Sequence, residues 1–144
     1  FFHKTESSFQ SEVILMLKLY TDAASKGNPG PTGLGALIID NHQQHQLTAA
    51  LERADNHHGE FAAAQFGFQY LLDHFGPQQT VLFYTDSRVL SDAIGKNYTK
   101  HYQAELATLN QLISQFTTVI TQWIPDQQNH GAHHLANQAL RSLE

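Results

Sequence analysis

Apolar and polar positions along the chain divide it into short apolar runs and longer segments of helical period. Residues 13–21 are dominated by apolar side chains and end at Asp22, ahead of the turn-rich Ser25-Lys26-Gly27-Asn28-Pro29-Gly30-Pro31, a pattern that predicts a strand and then a loop. Residues 33–40 and 44–52 predict two more strands joined by a polar turn at Asn41-His42, so that three antiparallel strands follow one another. Phe61, Ala64, Phe68, Leu71, Leu72 and Phe75 recur at helical spacing before Gly76-Pro77, predicting a helix over 58–75. Residues 80–85 form a continuous apolar run ending at Asp86, as for a strand covered on both faces in the middle of a mixed sheet. Residues 87–95 and 103–116 read as helices, and 117–124 as a fifth strand closed by Pro125. Ala132, Leu135, Ala136, Ala139, Leu140 and Leu143 mark one face of a terminal helix. The order βββαβααβα predicts an α/β fold: a five-stranded mixed sheet, three antiparallel strands and then parallel ones, flanked by helices.

A chain of 144 residues suits one domain with one core. Residues 1–12 show neither a period nor the pattern of a signal peptide, and Met16 would make a natural start. A domain over 16–144 is therefore expected, with 1–15 an extension of uncertain origin. No stretch approaches the roughly 20 apolar residues of a membrane helix. The absence of cysteine excludes disulfides and thiolate chemistry, and a cytoplasmic monomer is expected. Eight Lys and Arg against 13 Asp and Glu give a net charge of −5. Charge thus does not suggest a nucleic-acid partner, and motifs must carry that reading if it is made.

Two predicted strands end in the same words, Tyr20-Thr21-Asp22 and Tyr84-Thr85-Asp86. If the strands are neighbours, both carboxylates project at the carboxyl edge of the sheet, where open α/β sheets place their sites. Taken singly, an Asp after a strand is a turn or cap residue. Glu60, expected in the first turn of the helix, is a residue the macrodipole favours there. Gathered at one edge, the three would repel one another unless a divalent cation neutralised them. Oxygen-only ligands suit Mg²⁺ or Mn²⁺, and such a site is built for phosphoryl transfer.

Longer motifs extend this reading: residues 19–31 read Leu-Tyr-Thr-Asp-Ala-Ala-Ser-Lys-Gly-Asn-Pro-Gly-Pro, residues 56–61 Asn-His-His-Gly-Glu-Phe and residues 84–87 Tyr-Thr-Asp-Ser, followed by Trp123-Ile124-Pro125 and the segment 129–136. In this order over residues 17–140, they resemble ribonuclease H, in particular the compact bacterial and archaeal branch similar to the ribonuclease H domain of reverse transcriptases. The resemblance implies a ribonuclease H-like fold. It also implies metal-dependent endonucleolytic hydrolysis of the RNA strand of an RNA–DNA hybrid to 5′-phosphate and 3′-hydroxyl ends. Asp22, Glu60 and Asp86 fall on the family's central metal-binding carboxylates. Gly27, Asn28, Asn56 and Gly59 fall on the region that touches the minor groove and the 2′-hydroxyls of the hybrid. Turn chemistry is an equal explanation for these four, and N-capping an equal one for Asn129.

The chain departs from the family pattern in three places. The fourth carboxylate is replaced by His133, a neutral and softer ligand that favours Mn²⁺ over Mg²⁺ as the cofactor. The His-containing loop before the last helix reads Asp126-Gln127-Gln128, leaving His130 an imperfect substitute. The basic helix that some relatives use is missing, since residues 94–104 carry only Lys96, Lys100 and His101 as basic residues. These departures leave open an alternative, a catalytically impaired hybrid-binding module of the same fold. A 3′-to-5′ exonuclease is a lesser reading, because Asp22-Ala23-Ala24 does not match the D-x-E opening of that group. His130, His133 and His134 at i, i+3 and i+4 also permit a zinc site. His42, His45, His57, His58, His74 and His101 read as surface residues.

Overall fold

The computed structural model describes residues 16–144, so the expected extension over 1–15, and with it the beginning of the strand expected from residue 13, lies outside the described residues. Strand β1 (Met16–Ser25) pairs antiparallel with β2 (Gly30–Asp40), and β2 with β3 (Gln43–Ala54). Helix α1 (Asn56–Phe75) carries the chain to β4 (Thr80–Thr85), which joins β1 in parallel. Helices α2 (Arg88–Lys96) and α3 (Gln103–Ile113) precede β5 (Thr118–Trp123), parallel to β4. A single turn of 3₁₀ helix (Asp126–Gln128) then leads to α4 (His130–Arg141). The sheet order is β3-β2-β1-β4-β5, the mixed five-stranded α/β arrangement that the apolar pattern predicts. The parallel pairs require crossovers, and the helices supply them.

Alternation along β1 and β4 sends Leu17, Leu19, Val81 and Phe83 to one face, where Phe61, Phe68 and Leu71 of α1, Leu90 of α2 and Leu109 of α3 complete the main core. The Phe68 ring meets that of Phe83 edge-on, with centroids 5.0 Å apart. Truncating such a buried ring to Ala costs about 3–5 kcal/mol.

Helix α4 covers the opposite face of β1, β2 and β3. It lies so close that a Cβ on Gly33 would stand 2.2 Å from the Ala136 carbonyl oxygen, and one on Gly35 2.4 Å from that of Ala132. Glycine at these two strand positions lets the helix backbone rest on the sheet and carries His133 over β1.

Several boundaries differ from expectation for identifiable reasons. Strand β1 continues through Asp22 to Ser25 because these residues stay paired with Gly35 to Thr32 of β2. Strand β2 begins at Gly30 and β3 reaches Ala54, the two meeting across an irregularity between Gly30 and Thr32. Helix α1 begins at Asn56, since the carboxylate of Asp55 accepts the His58 N–H at 2.7 Å and caps it. Helix α3 stops at Ile113, and Phe116 leaves it to enter the core. Strand β4 is not covered on both faces: Val81 and Phe83 are buried, whereas Leu82 and Tyr84 are half-buried, because α4 lies over β1, β2 and β3 instead. Leu143 lies beyond α4 and is exposed, so it is not part of the packing face.

Candidate active site

The repeated Tyr-Thr-Asp words become neighbours in parallel register, with Tyr20 opposite Tyr84 and Thr21 opposite Thr85. The two tyrosine rings stack with centroids 4.7 Å apart. Asp22, still within β1, and Asp86, the first residue past β4, therefore stand side by side at the carboxyl edge of the sheet. Glu60 lies in the second turn of α1 rather than the first, because the helix starts at Asn56. The macrodipole thus does not account for its place. Gly59 is buried against Thr32 and Ala23, so that an added Cβ would meet them at 3.0 and 3.1 Å, and this close approach lowers Glu60 onto the end of β1. One carboxylate oxygen from each of Asp22, Glu60 and Asp86 lies within 4.8 Å of the others.

Holding three acids so close has an electrostatic consequence. Burial, reinforced by the charge of Asp86, pushes the Asp22 carboxyl up to about 6. Glu60 is held well above the ordinary carboxylate range by burial and then by the charges of Asp22 and Asp86. Asp86 is also raised, chiefly by burial and further by Asp126, against the lowering effect of a hydrogen bond from Asn129. Protons or cations must relieve this repulsion.

His133 Nδ1 lies 2.9 Å from Asp22 Oδ2, and its Nε2 lies 3.0 Å from the Asn137 side-chain nitrogen. An imidazole protonated on Nδ1 satisfies both contacts, donating to Asp22 and accepting from Asn137. Its nitrogen atoms lie outside the carboxylate cluster. His130 and His134 do not join it in a group of three or more metal-competent side chains among the described residues. Of the histidines expected at the surface, His45 and His58 are half-buried, His45 standing edge-on to Phe75 at 5.5 Å.

Asn129 stands at the N-cap of α4, where its carbonyl accepts the His133 N–H at 3.1 Å, but its side chain makes no capping bond. Buried, it donates through Nδ2 to the Thr21 carbonyl at 2.9 Å and to Asp86 Oδ2 at 3.2 Å, so it bridges the ends of β1 and β4. Gly27 sits at φ 85° in the loop after β1, and the Asn28 side-chain oxygen accepts the Asn56 N–H at 2.9 Å, tying that loop to the start of α1.

Two cavities meet over the carboxylates. One, of about 350 Å³, is lined by Asn56, His57, Glu60, Asp86, Ser87 and Arg88. The other, of about 380 Å³, is lined by Asp22, Asp86, Asp126, Gln127, His130 and His133. Asp86 belongs to both, so the acids lie in the floor of one groove. Sequence reading missed Asp126, although an acid directly after Trp123-Ile124-Pro125 at a strand end was a readable signal. It also missed Asn137, whose only signal is its position one helical turn after His133.

A sheet of this order, with three carboxylates at its carboxyl edge, defines a ribonuclease H-like domain. Residues 20–139 match the reverse transcriptase-like family, and the chain belongs to that family. It is 38% identical to a putative hydrolase EbsB of Enterococcus faecalis over 130 residues, covering 89% of this chain and 96% of that one. It is 37% identical over 86 residues to a ribonuclease H of Rippkaea orientalis, covering 60% of this chain and 50% of the relative. The chain spans about half the length of the ribonuclease H relatives it matches. The crystal structure of LC11-RNase H1 in complex with an RNA/DNA hybrid superposes with a TM-score of 0.80 at 23% identity, over 89% of this chain and 99% of that one, a likeness of fold.

Proposed function

We propose that this chain is a divalent-metal-dependent endonuclease that hydrolyses the RNA strand of RNA–DNA hybrids. The observation that carries the proposal is the set of carboxylate oxygens from Asp22, Glu60 and Asp86 within 4.8 Å of one another, each acid raised above its ordinary range. An all-oxygen donor set under mutual repulsion fits Mg²⁺ or Mn²⁺. Asp22, Glu60 and Asp86 would hold the metal, with His133 at the outer side of Asp22 as the fourth position. When bound, the metal supplies Lewis-acid stabilisation of the phosphate and a water activated at neutral pH. The net reaction would add one water across the phosphodiester, its oxygen bonding to phosphorus as the bond to the 3′-oxygen breaks and its proton passing by way of solvent to the 3′-oxygen, which leaves 5′-phosphate and 3′-hydroxyl ends. Asn129 would steady Asp86, and His130 lines the same cavity.

Gly27, Asn28 and Asn56 form the side that reads the 2′-hydroxyls, while Gly59 serves it from within by seating α1. His133 favours Mn²⁺ as cofactor. Among the described residues no helix is long and apolar enough to cross a membrane. The proposed compartment, the cytoplasm, is supported by the absence of cysteine.

The test is cleavage of an end-labelled RNA strand annealed to DNA, beside the same RNA alone and the all-DNA duplex. Metal-dependent cleavage confined to the hybrid is expected. No cleavage with either Mg²⁺ or Mn²⁺ would overturn the proposal and favour the alternative of a catalytically impaired hybrid-binding module. The observation on that side is the hydrogen bond by which His133 occupies Asp22 Oδ2.

A further inference from the structure

Four acids, Asp22, Glu60, Asp86 and Asp126, line the groove, and a polyanion entering it must meet a cation. Arg88, the first residue of α2, lines the cavity that also contains Glu60 and Asp86, and it is exposed. Its guanidinium carbon stands 3.6 Å from the centre of the Trp123 ring. That ring is itself fixed, because Trp123 Nε1 donates to the Asp86 carbonyl oxygen at 3.0 Å. A main-chain atom of one proposed metal ligand thus sets the platform on which the arginine rests. Among the described residues the ion pairs are Lys26 with Glu144 and His133 with Asp22, so Arg88 has no carboxylate partner. Stacking occupies the flat face of a guanidinium and leaves the N–H groups at its edge available to a planar fork of oxygens. Nearby, the Ser87 oxygen accepts the Leu90 N–H and the Asn56 main-chain N–H donates to Asn28, so neither carries a charge or a bond to the guanidinium.

We propose that Arg88, held on Trp123, is a phosphate-binding residue of the nucleic-acid site, gripping a backbone phosphate next to the one that lies over the carboxylates. This inference rests on the proposed function in that it takes the ligand to be a nucleic acid. The arginine offsets the field of the acids where the strand enters, and with few other cations nearby its removal should be felt clearly. Its role is binding, so it acts on KM and leaves the chemical step alone.

The test measures binding of the full chain to an RNA–DNA hybrid, a DNA duplex and a single-stranded RNA by fluorescence anisotropy in EDTA over a range of salt, for the parent, Arg88→Gln and Arg88→Lys. Arg88→Gln is expected to lower hybrid affinity about five- to tenfold at low salt and to reduce the slope of log affinity against log salt by about 0.7–0.9, the value of one phosphate contact. Arg88→Lys should keep the slope and lose part of the affinity, because the charge stays while the stacked fork is gone. With metal, KM should rise by a similar factor and kcat remain within about twofold. An unchanged slope in Arg88→Gln overturns the inference. A reduced slope on all three nucleic acids, without preference for the hybrid, keeps the phosphate contact and overturns the proposed substrate instead. Failure of the parent to bind any of the three overturns both. Thermal unfolding of Arg88→Gln should match the parent, since the residue is exposed.

Discussion

Asn129 donates to the carboxylate of Asp86 across 3.2 Å through the same amide nitrogen that reaches the Thr21 carbonyl at 2.9 Å. One buried side chain thereby fixes the spacing of the two strand ends that carry Asp22 and Asp86. Asn129→Ala leaves a buried carbonyl without its donor and removes a charge-assisted bond, so a loss of about 2–3 kcal/mol in urea unfolding is expected. Asn129→Asp should be worse for activity than for folding, because it places another acid beside Asp86. A stability change below about 0.5 kcal/mol in Asn129→Ala would show that the bridge is incidental.

The carboxylates themselves predict opposite effects on activity and on stability. Asp22→Asn and Asp86→Asn should each lower hybrid cleavage by about 10²-fold or more, since each removes a ligand from the groups that stabilise charge in the transition state. Without metal, Asp22→Asn should raise the melting temperature at pH 8, because it relieves the repulsion borne by its neighbours. Full cleavage activity in Asp86→Asn would refute the site assignment.

The pH dependence of the metal-free fold follows from the same groups. Asp22 is raised to about 6 in the folded chain, whereas an unfolded Asp titrates near about 3.9. The folded state therefore holds the proton more tightly. Its relative stability is fully present below the unfolded value and is lost as pH rises through about 6. Asp22 is almost fully buried, and its share is on the order of 2–3 kcal/mol, with Glu60 and Asp86 acting in the same direction. Thermal unfolding in EDTA should show a lower melting temperature at pH 8 than at pH 5. Added Mn²⁺ should reverse that order by stabilising the fold at pH 8 far more than at pH 5, where protons compete for the ligands. Equal metal-induced shifts at both pH values would argue against these acids as the binding site.

Most of the element order was legible because apolar period reports burial, and in this fold one main core does the burying. The Tyr-Thr-Asp repeat was legible for a related reason: identical strand endings in parallel register bring identical residues together. What period could not reveal lay where contacts are long-range or local geometry dominates. Asn129 looks like a side-chain cap in sequence, but its side-chain partners Thr21 and Asp86 are far away in the chain. Glu60 looked like a first-turn acid until the Asp55 cap moved the helix start to Asn56. Strand β4 looked doubly covered because Leu82 and Tyr84 are apolar, although α4 lies over β1 to β3 instead. The stacking of Arg88 on Trp123 joins residues on α2 and β5 and has no local signature at all.

His133 makes the last prediction, which concerns the identity of the metal. In the structure its Nδ1 faces Asp22 and its Nε2 faces Asn137, an arrangement served by a proton on Nδ1. To offer Nδ1 to a cation, the ring must carry its proton on Nε2 instead, and the Asn137 amide must turn so that its oxygen accepts it. Both adjustments are small, because the His133 side chain is largely exposed. The nitrogen then offered suits Mn²⁺ better than the hard, tightly hydrated Mg²⁺, and it brings no negative charge to compensate for a cation. Cleavage with Mn²⁺ should therefore exceed that with Mg²⁺ in the parent. His133→Asp should narrow or invert the preference by raising the Mg²⁺ rate, and Asn137→Leu, which cannot accept the Nε2 proton, should depress the Mn²⁺ rate while sparing Mg²⁺. The measurement is initial cleavage rate against the concentration of each metal, paired with calorimetric titration of each metal into the protein alone. If neither the rate ratio nor the affinity ratio moves in His133→Asp, the imidazole serves only to hold Asp22, and metal choice lies with the three carboxylates.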